Sequence, residues 1–136
     1  MKKNMSRLLK IASNNLTRSF NTFAAQYDLT STQMSILDFI SLAKGPTLQK
    51  EIEHEFVVKR STATNLLKLM EKKDLIYRLE NPDDSRQKFI YLTEKSKSLL
   101  DSIKVYMKQE QVELYDNFSI EELKTFEKIL NYYINK

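Results

Sequence analysis

A charged turn between two β-type runs restricts the fold of this chain more than any other feature. The turn is Asn81-Pro82-Asp83-Asp84-Ser85-Arg86, and it is flanked by Leu75-Ile76-Tyr77-Arg78-Leu79-Glu80 and Gln87-Lys88-Phe89-Ile90-Tyr91-Leu92. Pro fixes φ and Asx side chains hydrogen-bond the nearby backbone, so the middle segment favours a turn. The flanks alternate and carry aromatic and β-branched residues, which predicts a β-hairpin with Arg86 at its tip.

The rest of the chain has helical patterns. One Gly and two Pro among 136 residues leave little material for turns. Apolar residues at spacings of three and four predict helices over about 5–27, 29–43, 48–55 and 60–73, and two more that begin after Thr93 and Ser119. Thr30 with Gln33, and Ser119 with Glu122, have capping-box spacing. The predicted fold class is mainly α with a small β-hairpin wing.

A basic helix lies directly before the predicted hairpin. Residues 59–73 hold five Lys or Arg against one Glu, a local charge of +4, whereas residues 110–136 hold six acids against three Lys, a local −3. One side of the basic helix is apolar, and the opposite side carries Ser61, Thr64, Asn65, Lys68 and Lys72. A basic helix followed by a hairpin is typical of a winged helix-turn-helix, here residues 29–92, and predicts binding to double-stranded DNA.

Composition excludes several classes of function. The absence of Cys removes disulfides and thiolate metal sites, and His54, the only histidine, is expected at the surface. The single Gly excludes glycine-rich phosphate loops, and no nucleophile–base set is present, so we expect no enzyme activity, cofactor or metal. No apolar run is long enough to span a membrane. A cytoplasmic protein is expected.

The helices at both ends of the chain carry large apolar stripes although the central unit has its own core. We therefore expect residues 1–28 and 93–136 to form a helical dimerisation region that interlocks with a second copy of the chain. The alternative is that these helices pack only on their own chain.

Several segments carry a family resemblance: Gly45-Pro46, Gln49-Lys50-Glu51-Ile52, Arg60-Ser61-Thr62-Ala63-Thr64, Leu69-Met70-Glu71-Lys72-Lys73-Asp74-Leu75-Ile76, Asp84-Ser85-Arg86 and Leu92-Thr93-Glu94-Lys95. Together they resemble the MarR family of winged-helix transcriptional regulators. The resemblance covers the chain from Gly45 to Lys95, whereas the terminal helices match in order and length only.

The resemblance implies a homodimeric repressor on a pseudo-palindromic operator, with the fourth helix in the major groove and the wing in the minor groove. Arg86 would enter the minor groove and Asp84 would orient it; the alternative is that this pair only closes the hairpin turn. The DNA-binding residues expected on this basis are Gln49, Lys59, Arg60, Ser61, Thr62, Thr64, Asn65, Lys68, Asp84, Arg86 and Lys88.

Three positions depart from the family pattern. Lys59 stands where Asp is usual, so the fourth helix should lack a side-chain cap. Val57 stands where Gly is usual, and we expect the turn there to avoid positive φ. Asn65 stands where Arg is common, and because Asn pairs with adenine, we expect an A·T-rich operator.

Similar regulators bind small aromatic or anionic effectors between the helical ends and the winged unit. Aromatic residues are candidates to line such a cleft here, although core or dimer packing explains them equally well: Phe20, Phe23, Tyr27, Tyr106 and Tyr115. Two alternatives to an effector-controlled repressor stay open. One is an architectural DNA-binding protein without an effector, and the other is a winged-helix module that binds proteins.

Overall fold

The computed structural model describes residues 2–136; Met1, where the predicted N-terminal helical region begins, lies outside them. The predicted fold class is confirmed, since these residues form six helices and a small three-stranded antiparallel sheet. The elements in chain order are α1 (Met5–Ala25), α2 (Ser31–Leu42), β1 (Thr47–Leu48), α3 (Gln49–Phe56), α4 (Arg60–Lys72), β2 (Ile76–Asn81), β3 (Asp84–Leu92), α5 (Glu94–Asn117) and α6 (Ile120–Ile134).

The predicted helix starts are confirmed by their caps. Thr30 and Gln33 form a reciprocal capping box at α2, and Ser119 and Glu122 form another at α6. The Thr93 hydroxyl accepts the N–H of Ser96 at the start of α5. Each of these bonds satisfies a backbone N–H that the first helical turn leaves without a partner.

The hairpin turn is tighter than the sequence predicted. Only Pro82 and Asp83 lie between the strands, because Asn81 pairs with Asp84 and the Asn81 side chain accepts the Asp83 N–H at 2.9 Å. This Asx turn reverses the chain within two residues. The prediction of a turn up to Arg86 was therefore wrong at its C-terminal end: Asp84 to Arg86 belong to β3.

The sheet has a third strand that the sequence pattern did not reveal. β1 pairs antiparallel with β3, Thr47 opposite Ile90 and Leu48 opposite Phe89, which gives the strand order β1-β3-β2. Two residues are too few to show the alternation from which strands are predicted. β1 attaches the start of α3 to the wing and so sets the position of α3.

The core lies mainly inside the winged unit, and Ala24 of α1 and Ile103 of α5 add to it. Its largest fully buried apolar side chains come from four helices (α2 to α5), the turn after α4 and the sheet, and they are Met34, Ile36, Leu37, Ile52, Leu67, Met70, Leu75, Ile90 and Ile103. By contrast, Ala24 is the only buried residue in α1, and α6 has none. The terminal helices therefore add little to the core of their own chain.

Lysine side chains link the end of α4 to the rest of the molecule. The Lys73 ammonium donates to the Asp28 carbonyl and, at 3.2 Å, to the side-chain oxygen of Gln33 in the α2 capping box. The Lys95 ammonium donates to the Lys73 carbonyl at 2.8 Å. The C-terminal end of α4 is thus held against the α1–α2 junction and the first turn of α5.

Val57 corrects one expectation. This β-branched residue was expected to avoid positive φ, but its φ of 51° and ψ of 54° are left-handed. Its N–H and that of Val58 both donate to the Glu53 carbonyl, the latter at 3.1 Å. These bonds close the last turn of α3 and offset the strain of the left-handed conformation.

Candidate nucleic-acid interface

The outer face of α4 is polar and basic. Ala63, Leu67 and Met70 are buried on the inner face, while Ser61, Thr62, Asn65 and Lys68 are exposed on the other side. Lys59 makes no side-chain cap bond and the first turn holds no acid, so the predicted loss of the cap is confirmed. The N-terminal amides of α4 are therefore free to meet an anion, which the helix dipole also favours.

An amide and a hydroxyl join α3 to the first turn of α4. The Gln49 side-chain nitrogen lies 3.0 Å from the Thr64 hydroxyl, 3.2 Å from a Glu53 carboxylate oxygen and 3.3 Å from the Arg60 carbonyl. The Thr64 hydroxyl in turn donates to the Arg60 carbonyl at 2.9 Å. The donor hydrogens of Gln49 and Thr64, both expected at the DNA, are thus used within the protein.

Arg86 projects from the wing and is oriented by Asp84. Its Nε lies 3.1 Å from the Asp84 carboxylate, which also accepts the Arg86 backbone N–H at 3.0 Å. These hydrogen bonds hold the pKa of Asp84 below its usual range. The Arg86 side chain is 89% exposed, so the pair fixes its direction without covering it.

A second arginine, which sequence reasoning missed, supports the wing from inside. Arg78 in β2 donates from Nε to Glu71 at 2.8 Å, and its side chain is only 17% exposed. Its register partner is the buried Ile90, so it lies on the inner face of the hairpin. The sequence did contain a signal for this role of Arg78: a charged residue on the buried side of an alternating strand requires a partner of opposite charge.

A groove of about 580 Å³ separates α3 and α4 from the wing. We call it the basic groove, because its lining includes five cations against two carboxylates. It is lined by Leu48, Gln49, Lys50, Glu53, Arg60, Thr64, Arg78, Asp84, Arg86, Gln87 and Lys88. The structure thus brings six of the predicted site residues together here, whereas Lys59, Ser61, Thr62, Asn65 and Lys68 lie on exposed surface outside the lining.

Four of the five aromatic residues considered for an effector cleft pack on one another. The Phe23 and Tyr106 rings stack at 4.0 Å, Phe20 meets Tyr106 edge-on at 5.7 Å, and Phe23 lies 5.6 Å from Tyr27. Burial, with a further contribution from Glu110, raises the pKa of Tyr106. Tyr115 is 54% exposed. These four aromatic rings therefore form one cluster of mutual contacts.

Residues 2–136 also bear on two other classes of site. His54 is exposed on α3, as predicted, and no three His, Asp or Glu side chains are arranged to hold a metal ion in this part of the chain. Nor is any described helix both long and apolar enough to cross a membrane. The basic groove and the adjoining face of α4 remain the candidate site.

Comparison with curated proteins identifies relatives over nearly the whole chain. The MarR family profile matches residues 27–87. The HTH-type transcriptional regulator SarZ of Staphylococcus aureus strain MRSA252 is 30% identical over 122 residues, which cover 90% of this chain and 79% of the relative. SarZ of strain USA300 is 29% identical over 131 residues, or 96% of this chain and 85% of that protein.

Solved structures share the architecture. The transcription regulator MarR from Oenococcus oeni PSU-1 is 44% identical, with a TM-score of 0.90 over 98% of this chain and all of that one. S. aureus MepR, solved in a DNA complex, is 24% identical with a TM-score of 0.87 over 98% of each chain, a likeness of fold. On these matches, the chain belongs to the MarR family of winged-helix transcriptional regulators and is a DNA-binding protein, not an enzyme.

Proposed function

We propose that this chain is a homodimeric repressor that binds a pseudo-palindromic, A·T-rich operator and competes with RNA polymerase for promoter DNA. The observation that carries the proposal is the Asp84–Arg86 pair beside the outer face of α4. An exposed guanidinium with a fixed direction is pre-organised for a ligand outside the protein. Less side-chain conformational entropy is then lost when the ligand binds. Its chemistry and its position beside the basic groove favour nucleic acid.

In this proposal α4 enters the major groove. Asn65 is exposed on its outer face, and a side-chain amide can pair with N6 and N7 of adenine. The neighbouring cations and hydroxyls bind phosphate and set the register of the protein on the duplex. These are Lys59, Arg60, Ser61, Thr62 and Lys68. Gln49 and Thr64 contribute indirectly, because their bonds to each other hold the first turn of α4 in place.

The wing enters the adjacent minor groove. Arg86 inserts there, and Asp84 keeps its guanidinium directed outward. A·T-rich sequence narrows the minor groove and concentrates negative potential, which favours an inserted arginine. Lys88, exposed on the same strand and part of the lining of the basic groove, neutralises a flanking phosphate.

Exposed apolar side chains on the terminal helices support assembly as a homodimer through residues 1–28 and 93–136. Apolar side chains that are at least two-fifths exposed recur along α1, α5 and α6, and they include Met5, Leu8, Ile11, Leu16, Val105, Val112, Phe126, Ile129, Tyr132 and Ile134. Large apolar side chains exposed in such numbers along a helix mark an interaction site. Isologous contact with a second copy would cover it.

The charges of these regions are complementary. Residues 1–27 carry five Lys or Arg and no acid, whereas residues 110–136 carry six acids against three Lys. Opposite fields favour contact between the N-terminal helix of one protomer and the C-terminal helices of its partner. Two such contacts would place the two wings at a fixed separation on the operator.

The aromatic cluster bears on the choice between two modes of control. In the first, a small aromatic or anionic effector releases the repressor from DNA by changing the spacing of the two α4 helices. The packing of Phe20, Phe23, Tyr27 and Tyr106 on one another favours the second, a regulator without an effector. A ligand would have to separate the stacked Phe23 and Tyr106 rings before it could occupy their place.

The wing provides the test of this proposal. The operator is first located by footprinting the DNA upstream of the protein's own gene, and affinities are then measured by fluorescence anisotropy. Arg86→Ala should weaken binding about tenfold per half-site, the size of one specific contact. Asp84→Ala should cause part of that loss, since it removes only the orientation of Arg86. Lys44→Ala, an exposed cation outside the basic groove, is the control for loss of charge.

DNA substitution completes the experiment. Replacing the A·T pairs under the wing by G·C should weaken the wild type more than Arg86→Ala, because only the wild type senses the minor groove. If Arg86→Ala stays folded and binds the operator as tightly as Lys44→Ala, the wing does not contact DNA and the proposed interface is wrong.

A further inference from the structure

The basic groove contains one carboxylate that no cation neutralises. Asp84 pairs with Arg86, and Glu71, behind the wing, pairs with Arg78. Glu53 also lines the basic groove, half-buried on α3, yet no Lys or Arg nitrogen in residues 2–136 lies within the 4.0 Å of an ion pair. A negative charge is therefore exposed to a groove that otherwise attracts phosphate.

The hydrogen-bond partner of Glu53 is neutral. The Gln49 side-chain nitrogen donates to its Oε2 at 3.2 Å, and the same nitrogen contacts Thr64 and the Arg60 carbonyl of α4. An amide can hold a carboxylate in place but does not cancel its charge. The Gln49 amide thus keeps Glu53 beside α4, with its full negative charge next to the DNA-facing surface.

The position of the basic groove defines what Glu53 would face. If α4 occupies the major groove and the wing the neighbouring minor groove, the sugar–phosphate strand that separates these grooves must pass between α4 and the wing. That space is the basic groove. Lys50, Arg60 and Lys88 would then attract this strand, while Glu53 would repel it.

We propose that Glu53 is an affinity-setting residue whose charge weakens binding to the DNA backbone independently of base sequence. The inference rests on the proposed DNA interface. Phosphate contacts supply nearly all of the affinity for non-specific DNA, so a fixed repulsion at the strand limits how firmly the dimer is retained on the genome. It also lowers operator affinity by the same factor, since the strand passes Glu53 in both complexes.

Glu53→Gln tests this idea, because it removes the charge and keeps an oxygen that can accept the Gln49 bond. Glu51→Gln is the matched control, since Glu51 lies on the same helix, is exposed, and lies outside the lining of the basic groove. Both variants change the net charge by one. Affinity is measured by anisotropy on operator and on random duplex at several salt concentrations, with thermal melts alongside.

Glu53→Gln should bind both duplexes about threefold more tightly per half-site at low salt, the size expected for unit charges about 7 Å apart in a medium close to water. The gain should shrink as salt rises, and Glu51→Gln should show a much smaller effect. Equal affinities for the two variants would overturn the proposal. So would a loss on operator alone, which would mean that Glu53 accepts a base amino group, or a loss on both duplexes, which would mean that it orders the α3–α4 corner.

Arg86→Ala run in the same titration separates this inference from the proposed function. If Arg86→Ala weakens binding and Glu53→Gln equals its control, the interface stands and only the role of Glu53 is refuted. If neither change alters binding, the basic groove does not face DNA and both proposals fail.

Discussion

Replacing Phe126 by Ala should dissociate the proposed dimer while leaving each protomer folded. Phe126 lies on α6, where no residue is buried, and is 45% exposed in the single chain. An aromatic side chain can bury about 150–250 Å², so roughly 90 Å² of Phe126 remains for a partner to cover. At about 25 cal/mol per Å², that area contributes roughly 2 kcal/mol.

An isologous dimer contains this contact twice, so the substitution should cost roughly 4–5 kcal/mol of association free energy. Since 1.4 kcal/mol corresponds to a factor of ten, the dissociation constant of the dimer should rise about a thousandfold. The fold should persist, because Phe126 is not part of the core of its own chain.

Sedimentation equilibrium over a wide dilution range measures that constant, and far-ultraviolet circular dichroism confirms that α6 stays helical. Lys124→Ala is the control, an exposed change on the polar side of α6. A wild type that sediments as a stable monomer at micromolar concentration would contradict the proposed homodimer itself. A Phe126→Ala dimer as tight as that of Lys124→Ala would show that this face of α6 does not form the interface.

Two further predictions concern charge. Lys68→Ala should weaken binding to all duplexes about equally and flatten the dependence of log K on log salt by about 0.9 per half-site, because one phosphate contact is lost; a change confined to one base position would instead mean that Lys68 reads sequence. Burial raises the pKa of Asp38, and Lys104 only partly opposes this. The folded chain therefore holds that proton more tightly than the unfolded chain, so ionised Asp38 destabilises the fold above the folded pKa of this carboxyl and not below its ordinary pKa of 3.8. Asp38→Asn should raise the melting temperature at pH 7, with the gain vanishing in acid; a gain independent of pH would disprove this cause.

Part of the candidate site could be predicted from sequence because its signals are local. The apolar and polar sides of α4 follow from its periodicity, and the missing cap at Lys59 follows from residue type. The pairing of Asp84 with Arg86 is a contact two residues apart, and the family resemblance also points to it. The roles of these residues at DNA remain predictions.

Other features could not be predicted, since they join segments distant in sequence. Gln49 and Thr64 both have the polar chemistry of DNA contacts, but their mutual bond spans 15 residues and depends on how α3 crosses α4. Val57 adopts positive φ because hydrogen bonds to Glu53 outweigh its own conformational preference. A β-branched side chain favours negative φ at its own position, but hydrogen bonds in the folded chain can reverse that preference.

The sequence by itself determined the order of the helices, their capped starts and the hairpin, because periodicity and caps act within one or two turns of chain. Tertiary structure alone decided that Lys73 would reach Asp28 and Gln33, 45 and 40 residues away, and that Arg78 would brace the wing on Glu71. It also decided that Glu53 would lie in the basic groove without an ion-pair partner among residues 2–136. These contacts depend on how α3, α4 and the hairpin pack around a common core, and no local pattern encodes that packing.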